Sequence, residues 1–143
     1  MGLIVFTDLD GTLLDHDTYS WEAARPALDA LKARDVPLIL ATSKTAAEVA
    51  PLHADLGLGD TPAIVENGAG VYRPAEGVAQ DSEDHARIRR ALSDLAPELR
   101  AGFRGFADMT AEEIAEVTGL GLDGAERAGQ RCFSEPGLWS GTD

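Results

Sequence analysis

The run Leu3-Ile4-Val5-Phe6-Thr7-Asp8-Leu9-Asp10-Gly11-Thr12-Leu13-Leu14 delivers two carboxylates, two residues apart, directly after a short apolar stretch. Alternate side chains of a strand point the same way, so Asp8 and Asp10 can converge on one spot at the strand's C-terminal end. Gly11 then turns the chain. That end is where open α/β sheets bind ligands. Two convergent carboxylates repel each other unless a cation lies between them or one holds a proton. Mg²⁺ suits the pair: it is a hard ion that takes oxygen ligands and keeps waters for a substrate phosphate. With Mg²⁺ held by Asp8 and Asp10, Asp8 is a candidate nucleophile toward phosphorus, forming an aspartyl-phosphate. Asp10 is a candidate general acid and base, protonating the leaving oxygen and then activating water. A bare Asp-x-Asp is ordinarily a solvated turn; the buried-strand pattern before this pair and the glycine after it set it apart.

The elements that must position this pair follow along the chain. Ala24, Leu28 and Leu31 recur at helical spacing and predict a helix ending near Arg34, with Pro26 tolerable in its first turn. Val36 to Ala41 reads as a second strand, apolar on both faces as in a parallel sheet. Thr45, with Glu48 three residues on, predicts a capping box opening a second helix, whose buried stripe is Val49, Leu52 and Leu56. Pro51 inside that pattern is expected to kink it. Ala63-Ile64-Val65 is a third strand, and Val71-Tyr72 is expected to begin a hairpin. The β-α-β-α-β order predicts an α/β fold with a parallel sheet.

All three strands then end in polar residues at the same edge: Asp8 and Asp10, then Thr42, Ser43 and Lys44, then Glu66, Asn67 and Gly68. Either hydroxyl, Thr42 or Ser43, could hold a phosphate oxygen. Lys44 could neutralise its charge, and Asn67-Gly68 could contact the ligand, or be no more than a turn.

Residues 73–83 read as a linker, so residues 1–75 form one unit and residues 76–143 another. In the second, Ile88, Leu92, Leu95 and Leu99 predict a helix beginning near Asp84. Thr110 with Glu113 predicts a capping box, Gly119 a C-terminal stop, and Asp123 with Glu126 a further capping box. His16, His53 and His85 are scattered at spacings that suggest no zinc site and read as structural or surface residues.

Composition narrows the function classes. Twenty-five acidic against 12 basic residues give a net charge of −13, which argues against nucleic-acid and anionic-membrane partners. A small phosphorylated substrate remains compatible, because Mg²⁺ and lysine act locally. The single cysteine, Cys132, excludes an internal disulfide and suits a reducing, cytoplasmic setting. No stretch approaches the length of a membrane-spanning helix, and the N-terminal apolar run is too short for a signal peptide and has no basic lead-in.

The first motif resembles that of the haloacid dehalogenase (HAD) superfamily of phosphotransferases. That resemblance implies Asp8 as nucleophile, Asp10 as general acid/base, a requirement for Mg²⁺, and a serine or threonine after the second strand, to which Thr42 aligns slightly better than Ser43. Thr42-Ser43-Lys44-Thr45, Val65-Glu66-Asn67-Gly68, the run from Gly105 to Glu113 and Gln130-Arg131-Cys132-Phe133-Ser134-Glu135-Pro136 look like the mannosyl-3-phosphoglycerate phosphatase family within it. The resemblance implies a HAD-like Rossmannoid parallel sheet, incomplete here, with an α+β cap, partial here, inserted after the third strand. It implies hydrolysis of a phosphorylated sugar to mannosylglycerate and phosphate. Another sugar or polyol phosphatase is the nearest alternative within the class.

In the cap, Arg131 is a candidate fork for the substrate's carboxylate or phosphate, and Asp108 and Glu135 are candidates either to hold sugar hydroxyls or to order the cap. The family's phosphate-stabilising lysine and its later acidic Mg²⁺ motif have no counterpart after Arg131. The chain is therefore expected to be a truncated product or one piece of a split protein. On that reading the third strand has an uncovered edge, and a homo-oligomer or a complementing chain is the expected partner.

Overall fold

Leu9 separates the two aspartates and decides where they go. It is wholly buried, with Leu40, Val49, Ala63 and Val65 equally sealed around it. Burying a leucine of this size contributes about 1.5–3 kcal/mol, so the alternation that pulls Leu9 inward turns Asp8 and Asp10 out to solvent. The structure is a computed structural model, and it describes residues 2–79 and 82–141. It divides into two compact units, 1–78 and 79–143.

In the first unit, β1 (Val5–Thr7) pairs in parallel with β2 (Leu38–Leu40), Val5 opposite Leu38 and Thr7 opposite Leu40. A parallel bridge between Ala41 and Ile64 joins β2 to β3 (Ala63–Val65). The chain then doubles back as β4 (Gly70–Tyr72), antiparallel to β3. Helix α1 (Arg25–Lys32) connects β1 to β2, and α2 (Ala46–Asp55) connects β2 to β3. This is the predicted parallel α/β arrangement. The capping box is formed: Glu48 N–H donates to Thr45 Oγ1 at 3.1 Å, and Thr45 N–H donates to Glu48 Oε2 at 2.8 Å. Pro51 lies inside α2, which nevertheless continues as one element to Asp55. The buried residues of that helix are Ala47, Val49 and His53, with Leu52 and Leu56 packed at the margin of the core. His53 is in the core because its Nε2 meets Thr61 O at 2.6 Å and its ring packs edge-on against Tyr72.

The expectation of an uncovered edge at the third strand needs correction. The outer side of β3 is covered by β4, because left-handed Glu66 and Asn67, followed by Gly68, reverse the chain within a few residues. Among the described residues the first unit's strands that pair on one side only are β1 and β4. Beside β1, Leu3, Ile4 and Phe6 are more than half exposed.

The second unit begins with α3 (Glu83–Ser93), capped by Ser82, and α4 (Pro97–Gly102). The single helix expected from Ile88 to Leu99 is split, because Pro97 cannot donate the bond a continuing helix needs and instead opens α4. Strand β5 (Phe103–Gly105) pairs antiparallel with β6 (Gly137–Trp139). Between them α5 (Ala111–Thr118) carries the predicted Thr110–Glu113 capping box and ends on left-handed Gly119. Helix α6 (Leu122–Ala128) is capped at Gly121 without a side-chain bond, so the box expected from Asp123 and Glu126 does not form; Asp123 falls inside the first turn. Ile114, Ala125 and Ala128 make the small core. The expected linker, 73–83, contains a short turn at Pro74–Glu76; its Gln80 and Asp81 lie outside the described residues. Among the described residues no helix is long and apolar enough to cross a membrane.

Candidate active site

The ends of the first unit's parallel strands are sewn together by backbone hydrogen bonds. Ala41 N–H donates to Thr7 O at 2.8 Å, and Thr42 N–H to Ile64 O at 3.0 Å. Beyond the strands, Glu66 N–H donates to Lys44 O and Asn67 N–H to Thr42 O, each at 3.0 Å. These bonds hold the loops after the second and third strands against each other at the C-terminal edge, with the end of the first strand alongside. Glu66 and Asn67 adopt φ of 49° and 59°, and Gly68 φ of 92°. Two successive non-glycine residues in the left-handed region are uncommon, and such strain gathers at functional sites.

Between the loops is an open cleft of about 500 Å³ lined by Asp8, Ala41, Thr42, Ser43, Ile64, Asn67 and Gly68. Five of the residues singled out from the sequence therefore share one cleft. Thr42 is buried, and its Oγ1 accepts from Lys44 N–H at 3.2 Å. Ser43 is exposed. The two residues that sequence alone left interchangeable thus differ: Thr42 is buried and braces the loop, and Ser43 is exposed.

Lys44 reaches back to the first motif, its Nζ 3.2 Å from Asp10 Oδ2. Asp10 is itself placed by a tight turn: Leu14 N–H returns to Leu9 O at 2.8 Å and Thr12 N–H to the same carbonyl at 3.2 Å, over Gly11 at φ 72°. The sequence puts Lys44 at this edge but carries no sign of the Asp10 contact. Nor does it single out Tyr19, whose ring lies 5.8 Å from Lys44 Nζ.

Asp8, which lines the cleft, and Asp10 are exposed carboxylates, a chemistry that suits Mg²⁺, which commonly takes one or two protein carboxylates and fills its octahedron with water and phosphate oxygens. Among the described residues no group of three or more His, Cys, Asp or Glu side chains converges as a metal site.

Arg131 belongs to the second unit. Its Nε–H donates to Ala128 O at 3.1 Å and its guanidinium lies 5.8 Å from the Phe106 ring centre. The carboxylates of the same unit are engaged internally. Asp108 accepts from Arg89 at 2.5 Å, from Arg100 at 2.9 Å and from Gly105 N–H at 3.0 Å. Arg89 first, then the Gly105 amide and Arg100, hold its carboxyl well below the usual carboxylate range. Glu135 is sealed against His85 Nε2 at 2.5 Å and Ala107 N–H at 2.8 Å. A Cβ at Gly105 would meet that carboxylate, which would have to shift to make room. Of the two roles left open for Asp108 and Glu135, these contacts correspond to ordering the unit.

A parallel sheet whose strand ends gather an Asp-x-Asp-Gly motif, a hydroxyl loop and a lysine defines a class, and the comparison with known families agrees with it. The profile of the haloacid dehalogenase-like hydrolases matches residues 5–105. The chain belongs to that family.

Within it, the chain is 40% identical over 146 residues to a Persephonella marina protein named glucosyl-3-phosphoglycerate/mannosyl-3-phosphoglycerate phosphatase, covering 94% of this chain and 54% of that one. It is 40% identical over 147 residues to a Methanococcoides burtonii protein of the same name, covering 92% and 54%. The chain thus spans about half the length of the curated relatives it matches. The resemblance carried by the Ser-Lys-Thr and Arg-x-Phe-x-Glu-Pro strings points to the same relatives. Among solved structures, a Thermotoga maritima protein superposes with a TM-score of 0.54 at 18% identity, covering 85% of this chain and 48% of that one. A haloacid dehalogenase-like hydrolase from B. subtilis gives 0.50 at 21%, covering 94% and 53%. At those identities they support the fold alone.

Proposed function

We propose that this chain carries the nucleophile-bearing part of a Mg²⁺-dependent phosphomonoesterase acting on mannosyl-3-phosphoglycerate, or its glucosyl counterpart, and releasing phosphate. The observation that carries the reading is the cleft shared by Asp8, Thr42, Ser43, Asn67 and Gly68, beside Asp10 and Lys44. Asp8 attacks phosphorus as the bond to the leaving oxygen breaks, and Asp10 gives that oxygen its proton. Water then attacks the aspartyl-phosphate, Asp10 takes the water's proton, and phosphate and the Asp8 carboxylate are restored. Asp8 and Asp10 hold the Mg²⁺, which supplies charge neutralisation for the phosphoryl group. Ser43, Thr42 and Asn67 donate to phosphate oxygens, with the backbone of Gly68 beside them, and Lys44, held beside Asp10, neutralises the bound phosphate. Residues 1–75 act as the catalytic core and residues 76–143 as the substrate-selecting cap, in which Arg131 meets the substrate's carboxylate or phosphate.

The test is phosphate release from both phosphoglycerate substrates, with and without Mg²⁺, by the chain and its Asp8→Asn variant. Release that needs Mg²⁺ and vanishes in the variant is expected. Equal release from both proteins would sink the nucleophile assignment.

A second reading has its own support: a non-catalytic fragment that binds Mg²⁺ or phosphate and is completed by a partner chain or a second copy. The one-sided pairing of β1 beside exposed Leu3, Ile4 and Phe6 favours it. Phosphate binding without phosphate release distinguishes it from the first.

A further inference from the structure

Tyr19 is neither buried nor relaxed. It is 56% exposed, and its φ of 54° puts an aromatic residue in the left-handed region, a costly conformation outside glycine and asparagine. The turn that imposes it is heavily braced. Asp15 Oδ1 accepts from Thr18 Oγ1 at 2.7 Å, Thr18 N–H at 2.9 Å and Asp17 N–H at 3.2 Å. Asp15 N–H donates to Ser20 O at 2.8 Å, and Tyr19 N–H to Asp15 O at 3.0 Å. Burial does not explain why a strained backbone should present this ring at this place. Its neighbour does: Lys44 Nζ lies 5.8 Å from the ring centre, and the same nitrogen is 3.2 Å from Asp10.

A lysine ammonium is a point charge on a flexible four-carbon stem. An ion pair with a half-exposed carboxylate fixes it weakly in water. An aromatic face on a second side attracts the cation and removes rotamers that would carry it away. We propose that Tyr19 is a positioning residue, which the Asp15 turn presents so that its ring keeps the Lys44 ammonium beside Asp10, ready for a phosphoryl oxygen. The proposal rests on the phosphate-site reading above and extends it to a residue in the loop after the first motif. A charge placed in advance costs less to order when the anion arrives.

The test is a double-mutant cycle in the full chain, with inorganic phosphate in the presence of Mg²⁺ as the probe. Tyr19→Leu weakens phosphate binding about 2- to 5-fold, the range for an exposed cation–π contact. Tyr19→Phe, which keeps the ring, restores it. In a Lys44→Ala background Tyr19→Leu has no further effect. A general disturbance of the loop would weaken binding equally in both backgrounds, and that result overturns the proposal. The NMR shift of the Lys44 ε-methylene protons gives a second readout. The ring moves them upfield in the wild type and in Tyr19→Phe, and they return to the ordinary lysine position in Tyr19→Leu. Unmoved protons in the wild type overturn the proposal whatever phosphate does. Failure of the wild type to bind phosphate, with the shift present, instead overturns the phosphate-site reading and the ready-for-phosphate part of the proposal.

Discussion

Replacing Asp108 by alanine should destabilise the second unit substantially, because one carboxylate there answers three donors. It takes Arg89 at 2.5 Å, Arg100 through both oxygens at 2.9 and 3.1 Å, and Gly105 N–H at 3.0 Å. Breaking a fully buried pair from one side costs about 3–5 kcal/mol, and an exposed pair about 0–1 kcal/mol. The Asp108 side chain is 22% exposed, so two stranded guanidinium groups are partly rehydrated, and the expected loss lies at about 2–3 kcal/mol. Asp108→Asn keeps the shape and one acceptor but not the charge, and should lose about half as much. Urea unfolding of the full chain gives the magnitude, and hydrogen exchange at the Gly105 amide localises it. A loss below about 0.5 kcal/mol for Asp108→Ala would refute the reasoning, since the network would then be behaving as ordinary surface pairs.

The same carboxylate makes a pH prediction. Its pKa is lowered in the folded chain, so its contribution is complete above the ordinary aspartate value near ~3.9 and fades as pH falls below it. An acid titration followed by near-UV circular dichroism should show the second unit loosening there, with Asp108→Asn flattening that part of the curve. Thr45→Ala removes one arm of the α2 capping box and should cost about 1 kcal/mol in denaturant unfolding. Leu9→Ala, which empties the core position between the two aspartates, should cost about 2–5 kcal/mol and displace both carboxylates.

Much of the first unit could be read from the chain because its signals were local. The apolar run before Asp8, the Thr45–Glu48 box and the polar residues closing each strand each name their own place. Five of those residues share the cleft because parallel strands end on one edge, a matter of topology rather than of sequence distance. What escaped depended on long-range contact. No local pattern pairs His85 with Glu135 across fifty residues, or brings His53 into the core. No local motif marks Tyr19, because its conformation is imposed by the Asp15 turn around it. The split at Pro97 was legible, since proline interrupts a helix wherever it falls in the interior, but the spacing of Ile88, Leu92, Leu95 and Leu99 overrode it. Gly121 took the cap of α6 from Asp123 because a helix can begin on glycine with a single favourable turn ahead of it, and no side-chain bond held the start two residues later.

The most direct test of the central claim is whether phosphate becomes attached to Asp8. The chain is mixed briefly with labelled mannosyl-3-phosphoglycerate and Mg²⁺, quenched in acid and mapped by peptide. Label is expected on the peptide carrying Asp8, sensitive to hydroxylamine, absent from Asp8→Asn and longer-lived in Asp10→Asn, where water is no longer activated. Phosphate release with no labelled peptide, undiminished in Asp8→Asn, would contradict that claim.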